Sequence, residues 1–216
     1  MSCRRNTSSN AVTTFLPPRK PLSLLAGKVN MTVQLVRDIA AVAFRDAIDV
    51  LQVIETLEAG NAPSAVAAVN AAGTDAVAEC VYRALWSRLI LLVTRAYAPA
   101  RPGDLHARYA FDLLKDTALR TEVEKSGNTT ALANAIGHWA QCRDDNRLNA
   151  MRDFRDKQIA HWGQMKTQAP VINDIFAMSR ETATGIELLA QGTGVVTLSL
   201  ASQLMGYRQK ADRFWT

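Results

Sequence analysis

Along most of this chain apolar residues recur at intervals of three and four, the spacing of one helix face. In residues 31–59 the set Ile39, Ala43, Ala47, Val50, Ile54 and Leu57 predicts a first long helix, stopped by Gly60-Asn61-Ala62-Pro63. Ser64–Ala72 is alanine-rich and predicts a short helix. Thr74-Asp75 offers an N-cap for a helix reaching about Tyr97. Its portion Leu89–Val93 is apolar all round, which marks a central helix. Asp104 is placed to cap a helix over Leu105–Lys115, with His106 exposed in its first turn. Residues 117–127 read as a weaker helix closed by Ser126-Gly127. Thr129 or Thr130 would then cap the helix carrying Ala131, Ala135, Ile136 and Trp139. Asp144-Asp145 suits the start of a charge-dense helix over Leu148–Trp162. Asn173 would cap a helix over about 174–191, with Ile175, Met178, Thr182, Ile186 and Leu189 on one side. Beyond Gly192 and Gly194, Val195–Leu200 alternates briefly like a strand. Val196, Leu200, Leu204 and Tyr207 keep helical spacing, and no partner strand is visible, so a final helix is expected. The fold class is all-α, a helical bundle of roughly six to seven helices joined by short loops.

Composition adds bounds. With 216 residues, 48% hydrophobic and 21% charged, the chain can bury a sizeable core in one domain. Residues 1–30 differ: Arg4, Arg5, Arg19, Lys20 and Lys28 make them basic, and Pro17, Pro18 and Pro21 argue against a regular helix. A division follows, with a basic proline-containing arm over 1–30 and the bundle over 31–216. The arm is either a solvated tail or a contact for nucleic acid or a partner. It holds no apolar run of signal-peptide length. The central helix is interrupted by Glu79, Arg83, Arg88 and Arg95, so no bilayer span and no membrane association is expected. Cys3, Cys80 and Cys142 are odd in number and form no Cys-x-x-Cys, as in a cytoplasmic protein with reduced thiols. His138 and Cys142 have a spacing some metal sites use, but no third ligand is in register. No glycine-rich phosphate loop, His-Glu-x-x-His or nucleophile elbow occurs. No metal and no other cofactor is expected. The net charge of +5 is compatible with a phosphate-bearing partner.

One stretch looks chemical: Leu148–Gly163, LNAMRDFRDKQIAHWG. At about 100° per residue, Leu148, Met151, Arg155, Ile159 and Trp162 share one side. Arg155 therefore interrupts an apolar stripe, and a buried guanidinium needs an acceptor or an interface. Arg152 lies at the edge of that face. His161 is six residues on, roughly 9 Å along the axis and about 120° round. The two side chains do not readily meet on one straight helix. Either the helix end is distorted or a second copy of the chain supplies part of the site. A plain reading also exists: His161 in a last helical turn complements the dipole, Gly163 serves as the C′ residue, and Asp153–Lys157 is an i,i+4 pair. Likewise Arg88, deep in the apolar part of its helix, is either a structural ion-pair partner or close to a phosphate site.

The same residues carry a resemblance. Arg155, Asp156, four further residues and His161 match the arginine–polar–histidine signature of the HEPN superfamily (higher eukaryotes and prokaryotes nucleotide-binding). The wording from Leu148 to His161 looks most like the abortive-infection U family within it. Ala84–Tyr97 resembles that family's long apolar helix ending near an arginine–aromatic pair. The similarity extends loosely over residues 31–190.

The resemblance implies a metal-independent endoribonuclease with toxin, antiviral or RNA-processing roles, acting as a homodimer that places two motifs at a shared cleft. It also implies an antitoxin-like protein partner. Such cleavage uses the RNA's own 2′-hydroxyl as nucleophile. Histidine can move the protons, a contribution of roughly 10²–10⁴-fold, and arginine's planar fork can hold the charged phosphate. Arg155 and His161 are then the catalytic pair. Asp156 supports them by orienting the histidine or holding the arginine, and Arg152 and Lys157 bind substrate. The alternative is a non-catalytic helical module that binds RNA, a nucleotide or a partner protein.

Overall fold

The computed structural model describes residues 22–216 except Pro102 and Trp162, with side chains from Thr32 onward. Among the described residues there are helices and no strands: α1 (Leu22–Gly60), α2 (Pro63–Ala72), α3 (Asp75–Ala96), α4 (Ala107–Leu113), α5 (Thr117–Glu124), α6 (Thr129–Arg143), α7 (Asn146–Phe154), a π-helical segment (Arg155–Ala160), α8 (Ile172–Gly192), α9 (Leu200–Gln203) and α10 (Tyr207–Trp215). The architecture is all-α as expected, with more pieces than six or seven. The long elements fall where the periodicity puts them. The expected arm over 1–30 lies outside the described residues up to position 21, and residues 22–30 form the first turns of α1.

The core is built from the stripes read in the sequence. Ile39, Ala43, Ala47, Val50, Ile54 and Leu57 of α1 are all buried, as are Ile175, Met178, Thr182, Ile186 and Leu189 of α8. Thr182 is tolerated there because its hydroxyl donates to the Met178 carbonyl at 2.8 Å and meets the Tyr97 hydroxyl at 3.2 Å. α8 packs on both α1 and α6. Its end passes α6 closely: a Cβ added at Gly192 would stand 2.6 Å from Leu132 Cα. Tyr97, Trp139 and Phe111 form a three-ring stack, with centroids 4.1 and 4.2 Å apart, that joins the end of α3 to α6 and α4.

The ends of elements differ most from expectation. Asn128, not Thr129 or Thr130, caps α6 by accepting from the Ala131 amide. α8 starts after Val171 without a side-chain cap, so Asn173 lies inside it. Asp104 does not cap α4; its carboxylate accepts from the Arg101 amide at 2.7 Å. His106 occupies the cap position, and it is buried, not exposed, with Nε2 3.3 Å from Asp104 Oδ2. The last segment is two short helices. Gly206, at φ 78°, breaks the run where a side chain would be strained. The indole of Trp215 then donates to the Thr56 carbonyl and fixes α10 on α1.

Candidate functional site

The stretch Leu148–Gly163 folds as two kinds of helix. Asp145 caps α7 by accepting from the Arg147 amide at 2.7 Å, so the acidic pair does start this element. Leu148 and Met151 are fully buried. From Arg155 the backbone widens to π-helix and stops at Ala160. Isolated π turns of this kind are uncommon and concentrate at functional sites. The Gly163 amide reaches back to the Lys157 carbonyl at 2.9 Å, and the Gln158 side chain donates to the Gly163 carbonyl at 3.0 Å. His161 is past the helix end, with extended backbone (φ −141°, ψ 132°) and an exposed side chain. It is the capping residue that closes this segment, one position later than the last-turn place expected, and Gly163 lies two residues beyond it and so is not a helix C′ residue. The expected distortion between Arg155 and His161 is present.

Arg155 is neither sealed in the core nor free. Its side chain is 27% exposed, and both Nε (2.7 Å) and Nη2 (2.6 Å) contact Asp156 Oδ1. Asp156 is thus the ion-pair partner of Arg155. Arg155 also lines a groove of about 640 Å³ along α3, with Arg88 and Arg95 on its rim and Leu91, Leu92 and Ala98 in its wall. Arg88 pairs with Asp49 and Arg95 with Asp46, both on α1. Arg88 is the structural ion-pair partner of the first reading, and it also lines the groove. His161 is not among the residues lining this groove, so within one chain the groove gathers Arg155 and not His161.

Arg152, one turn before Arg155, is half-buried over the ring of Tyr97, 5.9 Å from its centroid, and donates to Asn149 Oδ1 at 3.2 Å. Among the described residues no carboxylate lies within ion-pair distance of it. Burial first, then the neighbouring Arg108 and Arg155 cations, hold its guanidinium below the ordinary value. Lys157 is half-buried and makes no ion pair among the described residues; the expected Asp153–Lys157 pair is not formed. Asp153 turns instead to the following loop. It accepts from the amides of Lys166 (2.6 Å) and Thr167 (2.8 Å) and from the Thr167 hydroxyl (3.0 Å). Those bonds, led by the Thr167 amide, hold its carboxyl below the usual carboxylate range.

His138 and Cys142 do come together, with Nε2 3.4 Å from Sγ, but the ring nitrogen is also 2.7 Å from the Glu181 carbonyl. Among the described residues no group of three or more histidine, cysteine or acidic side chains is arranged to hold a metal. No helix among them is long and apolar enough to cross a membrane. Sequence reasoning missed Arg95 and Arg108 as neighbours of the motif. Both reach it through tertiary packing, which local spacing does not encode.

The model of the HEPN family AbiU2 matches residues 31–214, nearly the whole described chain. The chain belongs to the AbiU2 family of HEPN proteins. The match covers α3, the groove beside it and the Arg155–His161 segment of this HEPN domain. Neither a curated protein nor a solved structure matches the chain.

Proposed function

We propose that this HEPN chain is a metal-independent endoribonuclease acting in the cytoplasm as a toxin or antiviral defence component. Its site is completed at a homodimer interface and held in check by an antitoxin-like partner. The observation that carries this reading is the π-helical break. It leaves Arg155 on a groove also lined by Arg88 and Arg95, each arginine paired with an aspartate, and delivers His161, unpaired among the described residues, to the surface just beyond. An exposed imidazole outside its own chain's groove suits a site shared between two copies. Arg155, held by Asp156, neutralises the phosphate as charge develops. His161 transfers the proton at the 2′-hydroxyl or at the leaving oxygen. Lys157 and Arg152 contact the strand on either side of Arg155.

RNA cleavage in EDTA tests this. Wild type is expected to cut. His161→Ala is expected to lose at least about 100-fold and Arg155→Ala about 10²–10³-fold, both with unchanged circular dichroism and oligomeric state. Wild type that leaves RNA intact, or variants that cut equally well, would favour the non-catalytic binding module.

A further inference from the structure

A second cavity, of about 290 Å³, opens between α4, α5 and α6, and it shares no lining residue with the α3 groove. Ile136, Trp139, Ala140 and Arg143 recur at three and four along α6 and so share the face that lines it. Phe111 of α4 and Leu114 just beyond that helix complete an apolar lining. Beside these residues stand Arg108, Lys115, Arg120 and Arg143, and among the described residues that line the cavity Asp112 is the one carboxylate.

The ion pairs of these four cations are all local. Arg108 (3.5 Å) and Lys115 (2.6 Å) share Asp112, Arg120 meets Glu124 at 3.4 Å, and Arg143 meets its neighbour Asp144 at 2.9 Å. Partly exposed pairs of this kind are weak. Arg88 and Arg95, by contrast, are gripped by acids of another helix. Three acids therefore serve four cations here, and the cations can turn to an outside anion at little cost.

The lining decides what carries that anion. A nucleobase brings amino donors on its edge, and the single carboxylate able to receive them is already shared by two cations. Such donors would be buried unpaired. A leucine or phenylalanine side chain has no polar edge and gains from burial against Phe111, Leu114 and Ile136. The volume also lies at the lower end of the range of small-molecule pockets, which begins at about 300 Å³.

We propose that this cavity docks an acidic segment of the protein partner, complementary to it in charge and anchored by an apolar side chain. The anchor enters between α4 and α6, and flanking glutamates or aspartates pair with Lys115, Arg120 and Arg143. The assignment rests on the nuclease reading only for what the partner does, which is to restrain the RNA-cutting site. The docking surface itself follows from the cavity.

The full chain, without RNA, is titrated with a fluorescent peptide that carries a leucine–phenylalanine pair between runs of glutamate. Saturable binding is expected, weakening as salt rises. Replacing the apolar pair of the peptide by two serines should weaken it at least about tenfold. The double reversal Lys115→Glu with Arg120→Glu should do the same. Both side chains are well exposed, so this variant should keep the circular dichroism and melting temperature of wild type and its behaviour towards RNA in EDTA. Arg143→Gln is a milder change, expected to weaken binding about threefold, and it decides the matter should the reversal disturb the fold.

Peptides with and without the apolar pair binding alike would make the cavity a general anion trap and overturn the proposal. Equal binding by wild type and the charge variants, or no saturable binding at low salt, would overturn it as well. So would a fully 2′-O-methylated oligoribonucleotide that displaces the peptide and loses its own affinity in the reversed variant, since the cavity would then be a nucleic-acid contact. Peptide binding as expected with RNA left intact would sink the nuclease reading and keep the docking surface. RNA cleavage that needs Arg155 and His161, with no peptide binding, would do the reverse.

Discussion

Asp153 and Cys142 show how single side chains set local behaviour. Asp153 is the tether of the Gly163–Pro170 loop: one carboxylate oxygen serves two amides and a hydroxyl. Its carboxyl is depressed in the fold, so the tether holds above the unfolded value of about 3.9 and is lost as pH falls through the lower folded value. Hydrogen exchange at the Lys166 and Thr167 amides should therefore accelerate in Asp153→Asn at neutral pH, and in wild type only under strongly acidic conditions. Unchanged exchange in the variant would mean that the loop is held by other contacts. Cys142 is a second case. Burial first, then the Glu181 charge, pushes its thiol up to about 11, whereas Cys80 is exposed. At neutral pH an alkylating reagent should modify Cys80 and spare Cys142 until the protein unfolds. Neither behaviour is legible in the sequence. Asp153 reads there as a helix-surface charge four residues from a lysine, and its loop partners lie 13 and 14 positions away.

Elements were legible where they pack and illegible where they end. Stripes of α1 and α8 name their own buried faces, because burial on one side imposes a period that local propensity does not disturb, whereas Leu89–Val93 of α3, apolar all round, is buried except for Leu91, which is exposed on the groove. Caps depend on which side chain reaches a free amide, and neighbours such as Asn128 and Thr129 compete within a residue of each other. The α6–α8 crossing adds a constraint that no periodicity carries. Gly192 faces Leu132 so closely that a methyl group would force the two helices apart. Gly192→Ala should cost about 1–3 kcal/mol, measured as a lower denaturation midpoint at unchanged m value. A neutral result would mean that the crossing is loose. Gly194, by contrast, is at φ 73° and serves the turn itself.

At the scale of the whole molecule, the family and the fold class were both readable, the first from Arg155–His161 and the second from hydrophobic spacing. The relation between the two motif residues was not. It depends on a change of helix type between them, and π geometry has no dependable sequence signal. A nuclease site shared by two copies makes its own demand: the active species must be a dimer. Sedimentation should show two chains at the concentration where RNA is cut, with specific activity falling on dilution. A strict monomer of full activity would remove the shared site.

The π segment has one further consequence, for length. Its bonds skip one residue more than those of the α turns before it, so the stretch behaves as an α-helix carrying a surplus position. Loss of Gln158 would let it rewind as regular α-helix with the downstream chain nearly in phase, because the wide turn had absorbed one extra residue. The bundle survives such a one-codon deletion, but the bond from Gln158 to the Gly163 carbonyl, which clasps the turn around His161, is lost. In this segment spacing is under constraint as much as residue type, and a silencing lesion can leave both the arginine and the histidine in place.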